Sequence, residues 1–333
     1  MNSDFDVDLV VTWVDGSDEK WLNKRSRYDE TIDLNGVNRF RDMGVFDYWF
    51  ETVLRYMPWI RKIFVVTDDQ PLPFTIRSNK VVFVNHDEFI PKQYLPTFNS
   101  NVIELNMHRI EGLAEHYILA NDDMYVTKPL AKSDFFNAKG LPMLQPVMNI
   151  IQPESEFSQI VFNNMKVLNK HFEKRTFIKS NFLNLFSLRN GNRLFQTLLT
   201  IPYPAITGFY ENHLMSSYLK SGLDKVWEEE YDLLDETSKH HLRSSTDVSI
   251  WLIKEWTLLS GRYEVLPNGF GTLLAIKNVR DLESVESKLR DRKPILVIND
   301  DVENAADWSL IKNGLREKFR NVFGDLHYVT YAD

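Results

Sequence analysis

His116-Tyr117-Ile118-Leu119-Ala120-Asn121-Asp122-Asp123-Met124-Tyr125 is an apolar run of strand length that ends in an asparagine and two adjacent carboxylates. Ile295-Leu296-Val297-Ile298-Asn299-Asp300-Asp301 repeats the pattern near the C-terminus. Neighbouring carboxylates cannot both stay ionised without penalty unless something positive lies between them, so buried strands that end this way ask for a cation. A bare Asp-Asp pair also fits an ordinary polar loop.

Working outward, three further apolar runs stop at polar tips. Val7 to Val14 ends at Asp15-Gly16-Ser17-Asp18, Lys62 to Thr67 at Asp68-Asp69, and Val81 to Val84 at Asn85-His86-Asp87. Ser17 is the expected cap of a helix entered near Trp21. A polar link, Asp33 to Arg41, leads to a helix over Val45 to Met57, with Phe46, Trp49, Phe50, Val53 and Leu54 at helical spacing and Pro58 past its end. Continuously apolar strands alternating with helices predict an α/β fold: a mostly parallel, Rossmann-like sheet with helices on both faces. In such sheets ligands bind beyond the carboxyl ends of the strands.

Ser100 is placed to cap a helix from about Asn101, with Ile103, Met107, Ile110 and Ala114 on one face and Glu104, His108, Glu111 and Glu115 on another. Glu104 and His108 would then point the same way, as a ligand pair or as a solvated i,i+4 contact. After a strand over Leu141 to Met148, the texture turns to short helical patterns, Phe162 to Phe172 and Phe177 to Phe195. Residues 140–204 therefore read as a helical insertion or lid between a first half, 1–139, and a second, 205–333. In the second half, Glu211 to Lys220 suits a short helix bearing His213, and Lys225 to Asp235 a charged one. Arg243 precedes an apolar helix through Val248, Trp251, Leu252 and Trp256, and a helix N-terminus favours an anion. Arg243 paired with Asp247 and His213 as an ordinary surface histidine are the plainer alternatives. Edge strands fit Arg262 to Leu266 and Leu273 to Ile276, a helix fits Ser284 to Arg290, and Ile295 to Ile298 reads as the last core strand.

Composition narrows the classes. The 333 residues are 43% hydrophobic and 13% aromatic, which is that of a packed globular protein. A net charge of -8 with no long basic run argues against nucleic acid as a partner. The absence of cysteine excludes disulfides and thiolate chemistry. No apolar run reaches membrane-spanning length and Met1 to Asp6 lacks signal-peptide character, so the expected address is the cytoplasm. Phosphate-binding glycine loops and a serine nucleophile elbow are missing.

Taken together, the blocks Asp8 to Asp18, Arg39-Phe40-Arg41-Asp42, Pro58 to Asp68, Leu95 to Glu104, His108 to His116 and Asn121 to Met124 resemble the first two conserved regions of the Stealth family. His213-Leu214-Met215-Ser216 and His241 to Asp247 are similar to its third region, and Ile298 to Asp301 with the following helix to its fourth. The resemblance implies one catalytic domain over 1–333 that transfers a sugar 1-phosphate, commonly N-acetylhexosamine 1-phosphate, from a UDP-sugar to a hydroxyl of a glycan or lipid-linked glycan, releasing UMP. This is the chemistry of capsule and exopolysaccharide synthesis, and it implies peripheral contact with membrane polysaccharide machinery at the inner face of the plasma membrane. Carried onto matching residues, Asp123 with Glu104 and Asp122 would hold Mg2+ or Mn2+ on the diphosphate. Asn121 and Asn299 would orient ligand or carboxylates, Arg243 with Arg109 would grip the migrating phosphate, and His213 would take the acceptor proton. Asp15, Gly16 and Asp18 would shape the nucleotide pocket, and Asp247 and Asp300 would complete the substrate contacts. The rival readings are a metal-dependent glycosyltransferase that releases UDP and a non-catalytic carbohydrate-binding scaffold with structural Ca2+.

Overall fold

The structure, a computed structural model, describes residues 5–28, 40–302 and 304–331. Most of the expected polar link, Asp33 through residue 39, lies outside them. Among the described residues twelve strands run in chain order: β1 (Val7–Thr12), β2 (Ile63–Thr67), β3 (Thr75–Ile76), β4 (Val81–Asn85), β5 (His116–Asn121), β6 (Met124–Val126), β7 (Met143–Leu144), β8 (Ser216–Leu219), β9 (Glu264–Val265), β10 (Gly271–Ile276), β11 (Ile295–Asp300) and β12 (Val329–Thr330).

Five of them form the central sheet in the order β4-β2-β1-β5-β8. All neighbours are parallel except β8, which runs antiparallel to β5. β1 shows why: Val7, Leu9 and Val11 enter the core on one face while Val10 enters the other, so no face of the strand is left for water. On the first face the sheet packs against helix Phe46–Tyr56; on the second, against Leu105, Leu223, Val226 and Trp227. The mostly parallel α/β sheet expected from the sequence is thus present.

A second sheet, β10-β11-β6, explains the C-terminal echo of the opening stretch. β5 and β6 are joined by Asp122 and Asp123 alone, yet β6 leaves the central sheet and pairs antiparallel with β11, Val297 opposite Met124. The Ile298 amide donates to the Asp123 carbonyl at 3.0 Å, which closes the junction. Ile295 to Ile298 is therefore a core strand of this second sheet and not of the central one.

Other local expectations shift for identifiable reasons. Asp18, not Ser17, caps helix Glu19–Arg25, because its carboxylate accepts from the amides of Lys20 (2.8 Å) and Trp21 (3.4 Å). Asn99, not Ser100, caps the next one, which stops at Leu105; a 3-10 turn, Met107–Arg109, replaces its second half. Glu211 to Lys220 is no helix: it holds β8. The strand expected over Leu141 to Met148 shrinks to β7, and the helix expected from Val248 begins at Trp251. Residues 156–200 fold mainly as helices, Glu156–His171, Lys174–Ser180, Phe182–Leu185 and Leu194–Thr200.

One ion pair, built on a buried carboxylate, ties this frame together. The Asp8 carboxylate, with no exposed surface on β1, accepts from Arg61 Nε (2.9 Å) and Nη2 (2.5 Å) and from the amides of Lys62 (3.1 Å) and Ala114 (2.8 Å). It joins the entries to β1, β2 and β5. Removing one partner of such a pair leaves buried donors unmatched, so Asp8→Ala is expected to cost about 2–4 kcal/mol in urea denaturation. A change under about 0.5 kcal/mol, the usual size for a surface substitution, would contradict this role.

Candidate active site

At the carboxyl ends of β1, β2, β5 and β11 opens a cavity of about 830 Å³. One wall is the Asp122-Asp123 turn with Asn121, Asn299 and Asp300; another carries Glu104 and Arg243, and His213 reaches in beside the turn. Helix Phe46–Tyr56 steadies the tip of β5 through Trp49, whose indole donates to the Asn121 carbonyl at 3.1 Å.

Burial dominates the chemistry of the turn. It pushes the Asp122 carboxyl well above the usual range, and the neighbouring charges of Asp123 and Asp42 push it the same way. Asp123 is likewise raised by burial, with His213 pulling it back. Asp123 Oδ1 is a buried oxygen with no hydrogen-bond partner, while Oδ2 lies 3.9 Å from His213 Nε2. That separation is an electrostatic contact and too long for a hydrogen bond.

His213 arrives by sheet register. β8 pairs Ser216 with Leu119 and Leu219 with His116, so the residues just before Ser216 lie alongside the tip of β5. The histidine has a positive φ of 45°, unusual for a residue with a side chain and a conformation that recurs at functional sites.

Across the cavity, burial raises the Glu104 carboxyl to about 7, opposed by the Arg243 guanidinium. Arg243 Nη2 donates to Ser100 Oγ at 2.5 Å. The loop that carries Arg243 is held from behind by Asp247, which has no exposed surface and does not line the cavity. Its carboxylate binds His240 Nδ1 (2.7 Å), Asn99 Nδ2 (2.8 Å), Asn101 Nδ2 (3.1 Å) and the Ser244 amide (3.1 Å). Asp247 thus fastens the Arg243 loop to the start of helix Ser100–Leu105, in place of the Arg243–Asp247 pair that the sequence left open.

The other sequence-derived residues divide. Asn121, Asn299 and Asp300 line the cavity. Asp300 is engaged by Arg41 through two bonds, Nε to Oδ2 at 2.7 Å and Nη2 to Oδ1 at 2.8 Å, and Arg41 stacks on Trp308 at 4.4 Å. Arg109 lies elsewhere, over the Trp227 ring at 4.8 Å, and does not join Arg243. His108 packs beside the same tryptophan, so it shares no site with Glu104. Asp15 and Asp18 spend their oxygens locally, on Ser17 and on the helix cap, and Gln70 bridges them. Neither lines the cavity, although Val14, Trp21 and Phe40 do. Gly16 matters sterically: a Cβ there would come within 2.1 Å of the Phe40 carbonyl oxygen. Arg41 and Asp42, given no role from the sequence, both line the cavity, and their signal was their place in the Arg39 to Asp42 block; Lys277, also in the lining, had none.

Among the described residues no three His, Cys, Asp or Glu side chains gather as a metal cluster. The trio of Glu104, Asp122 and Asp123 expected to share a cation is therefore not assembled: Glu104 answers to Arg243, and the aspartates to His213, Asp42 and each other.

Two family models match the first part of the chain. Stealth protein CR1, conserved region 1, covers residues 5–33, and Stealth protein CR2, conserved region 2, covers residues 39–144. An exopolysaccharide phosphotransferase, cps2G of Lactiplantibacillus plantarum, is 35% identical over 95% of this chain and 94% of its own. The chain belongs to the Stealth family. The capsular polysaccharide phosphotransferase WcwK of Streptococcus pneumoniae is 34% identical over 95% of this chain and 96% of its own. The receptor polysaccharide phosphotransferase WefC of Streptococcus gordonii is 39% identical over 82% and 84%. This Stealth chain is accordingly an enzyme, a transferase, which sets the scaffold reading aside. Among solved structures, a galactosyltransferase, LgtC, with donor and acceptor sugar analogues aligns over 97% of each chain at 10% identity and a TM-score of 0.39, too loose a likeness to carry an argument.

Two outcomes test the site. A carboxyl raised from 4.5 to about 7 supports folding while protonated; that support is complete below about pH 4.5 and is lost as pH climbs through 7. Glu104→Gln, neutral throughout, should be more stable than the parent by about 3 kcal/mol at about pH 8 and by less than about 1 kcal/mol at about pH 5. Parallel pH profiles of thermal unfolding would contradict the burial of Glu104. Gly16→Ala should cost about 1–3 kcal/mol through displacement of the Phe40 backbone; an unchanged melting temperature would show that the wall yields freely.

Proposed function

We propose that the chain transfers a sugar 1-phosphate, of the N-acetylhexosamine class, from a UDP-sugar to a hydroxyl of a glycan acceptor in capsule or exopolysaccharide synthesis. The observation that carries this reading is the placement of His213 beside Asp122 and Asp123, with Arg243 facing them across one cavity. The names of the relatives, polysaccharide phosphotransferases, support group transfer of a phosphate.

In the proposed reaction the acceptor oxygen attacks the sugar-bearing phosphorus of the donor. One P–O bond forms to the acceptor, the P–O bond to the UMP phosphate breaks, and the acceptor proton passes to His213. The anomeric C–O bond is untouched, so anomeric configuration is retained and a phosphodiester results. Catalysis of this kind rests on positioning and on neutralising phosphoryl oxygens. Arg243 serves the second need, since its planar fork suits two phosphate oxygens. His213 serves as base because its ring stands beside the carboxylate turn, where the acceptor hydroxyl would enter.

Mg2+ or Mn2+ fits Asp122 and Asp123. An unpartnered buried oxygen on Asp123 is what a cation would satisfy, and two carboxylates suffice for a metal that takes its remaining oxygens from a diphosphate and water. When bound, it would supply positive charge to the phosphate oxygens. Asn121 and Asn299 would orient the ligand, and Asp300, held by Arg41, would complete the rim.

Incubation of the chain with a panel of UDP-sugars, a glycan acceptor and Mg2+ tests the reading by nucleotide chromatography. UMP is expected; UDP would mean that the sugar alone moves. His213→Ala is expected to lower kcat by about 10²–10⁴-fold with the fold intact, and full activity in that variant would remove the base assignment.

A further inference from the structure

Helix Leu194–Thr200 is inside out. It buries Thr197 and Thr200 and presents Phe195 (70% exposed), Leu198 (48%) and Leu199 (70%) to the outside. Spacings of three and four put these three on one face. The threonines have reasons to face inward: Thr197 Oγ1 accepts from the Met148 amide at 3.1 Å, and Thr200 Oγ1 donates to the Thr197 carbonyl at 2.7 Å. The apolar face is therefore held outward by the packing of the polar one.

That face does not stand alone. Leu183 and Leu188 are 84% and 90% exposed, and Phe182, Ile201 and Tyr203 are exposed as well. Eight of the sixteen exposed large hydrophobic residues among the described residues thus fall between 182 and 203, a concentration that scattered surface hydrophobics do not show. Lys174, buried, donates to the carbonyls of Thr200 (2.5 Å) and Tyr203 (2.7 Å) and so locks helix Lys174–Ser180 beside the end of the inverted helix. On that neighbour Arg175 and Lys179 are exposed, one turn apart.

Charge selects the occupant. Between Glu173 and Glu211 there is no acidic residue and there are five basic ones, in a chain of net charge -8. Arg175 and Lys179, two of the five, are exposed, and a symmetric contact between two copies would bring their charges together. Exposed Phe and Leu beside Lys and Arg are the composition that lies in the interface of an anionic bilayer. Among the described residues no helix is long and apolar enough to cross a membrane.

We infer that the face built from residues 175–203 docks the chain onto an anionic lipid surface, with Phe195, Leu198 and Leu199 entering the headgroup region and Arg175 and Lys179 meeting lipid phosphates. This inference is independent of the reaction proposed above. The acidic remainder of the chain would be repelled by the same surface, which gives the docked chain one orientation.

Cosedimentation of the full chain with vesicles of phosphatidylcholine alone, or with about 30 mol% phosphatidylglycerol, tests it. Binding is expected to the anionic vesicles and to weaken with salt. The double variants Phe195→Ser/Leu199→Ser and Arg175→Ser/Lys179→Ser should each lower partitioning about tenfold with unchanged circular dichroism and melting temperature. Absence of binding to either vesicle, or binding that both variants leave unchanged, would overturn the inference. So would a dimer in sedimentation equilibrium that Phe195→Ser/Leu199→Ser splits, since a second copy would then be what covers the face.

Discussion

Two carboxylates on consecutive residues, partly withdrawn from water at the cavity wall, set the terms for everything around them. Asp122 and Asp123 form the whole connection between a strand of one sheet and a strand of another, so their backbone has little latitude. Burial raises both carboxyls, and Asp123 keeps an oxygen without a partner. An interior tolerates such an arrangement only where positive charge is supplied from elsewhere. Here Arg243 faces the turn across the cavity, and under the proposed function a divalent cation would add to it.

Antiparallel pairing is the device that brings distant residues to this point. β8 runs against β5 and so returns the chain from the far side of the helical segment to the tip of β5, with His213 at its approach. β11 runs against β6 and carries Asn299 and Asp300 to the same place, where the Ile298 amide grips the Asp123 carbonyl. The third residue brought here, Arg243, sits on a loop fastened from behind by the buried Asp247 carboxylate. Three separate stretches thus meet at one cavity, and in each case a backbone or buried hydrogen bond, not the functional side chain, fixes the approach.

Much of this was legible in the sequence, and the gaps have physical causes. β1, β2, β4 and β5 were readable because each is an apolar run stopped by polar residues, which is the mark of a buried parallel strand. The Asn-Asp-Asp tips were readable for the same reason. His213 was found, but on the wrong element: Glu211 to Lys220 contains Leu214, Met215 and Tyr218 at spacings that suit a helix, and only the pairing partner, β5, decides for a strand. Glu104 and His108 look like neighbours on one helix; the helix ends at Leu105, and by His108 the chain has turned toward Trp227. Asp247 looked like a ligand contact and is a buried anchor, because the donors it serves, Asn99 and Asn101, lie almost 150 positions away. Arg41 shows no role in the sequence alone, since its partner, Asp300, is 259 residues distant.

The central claim is that a phosphate leaves the donor together with its sugar. A UDP-sugar labelled with ³²P in the phosphate that bears the sugar tests this most directly, with the glycan product separated from nucleotides after a single incubation. The account predicts that the label moves into the glycan as a phosphodiester while unlabelled UMP is released. Label recovered as UDP, with unlabelled sugar on the glycan, would contradict it.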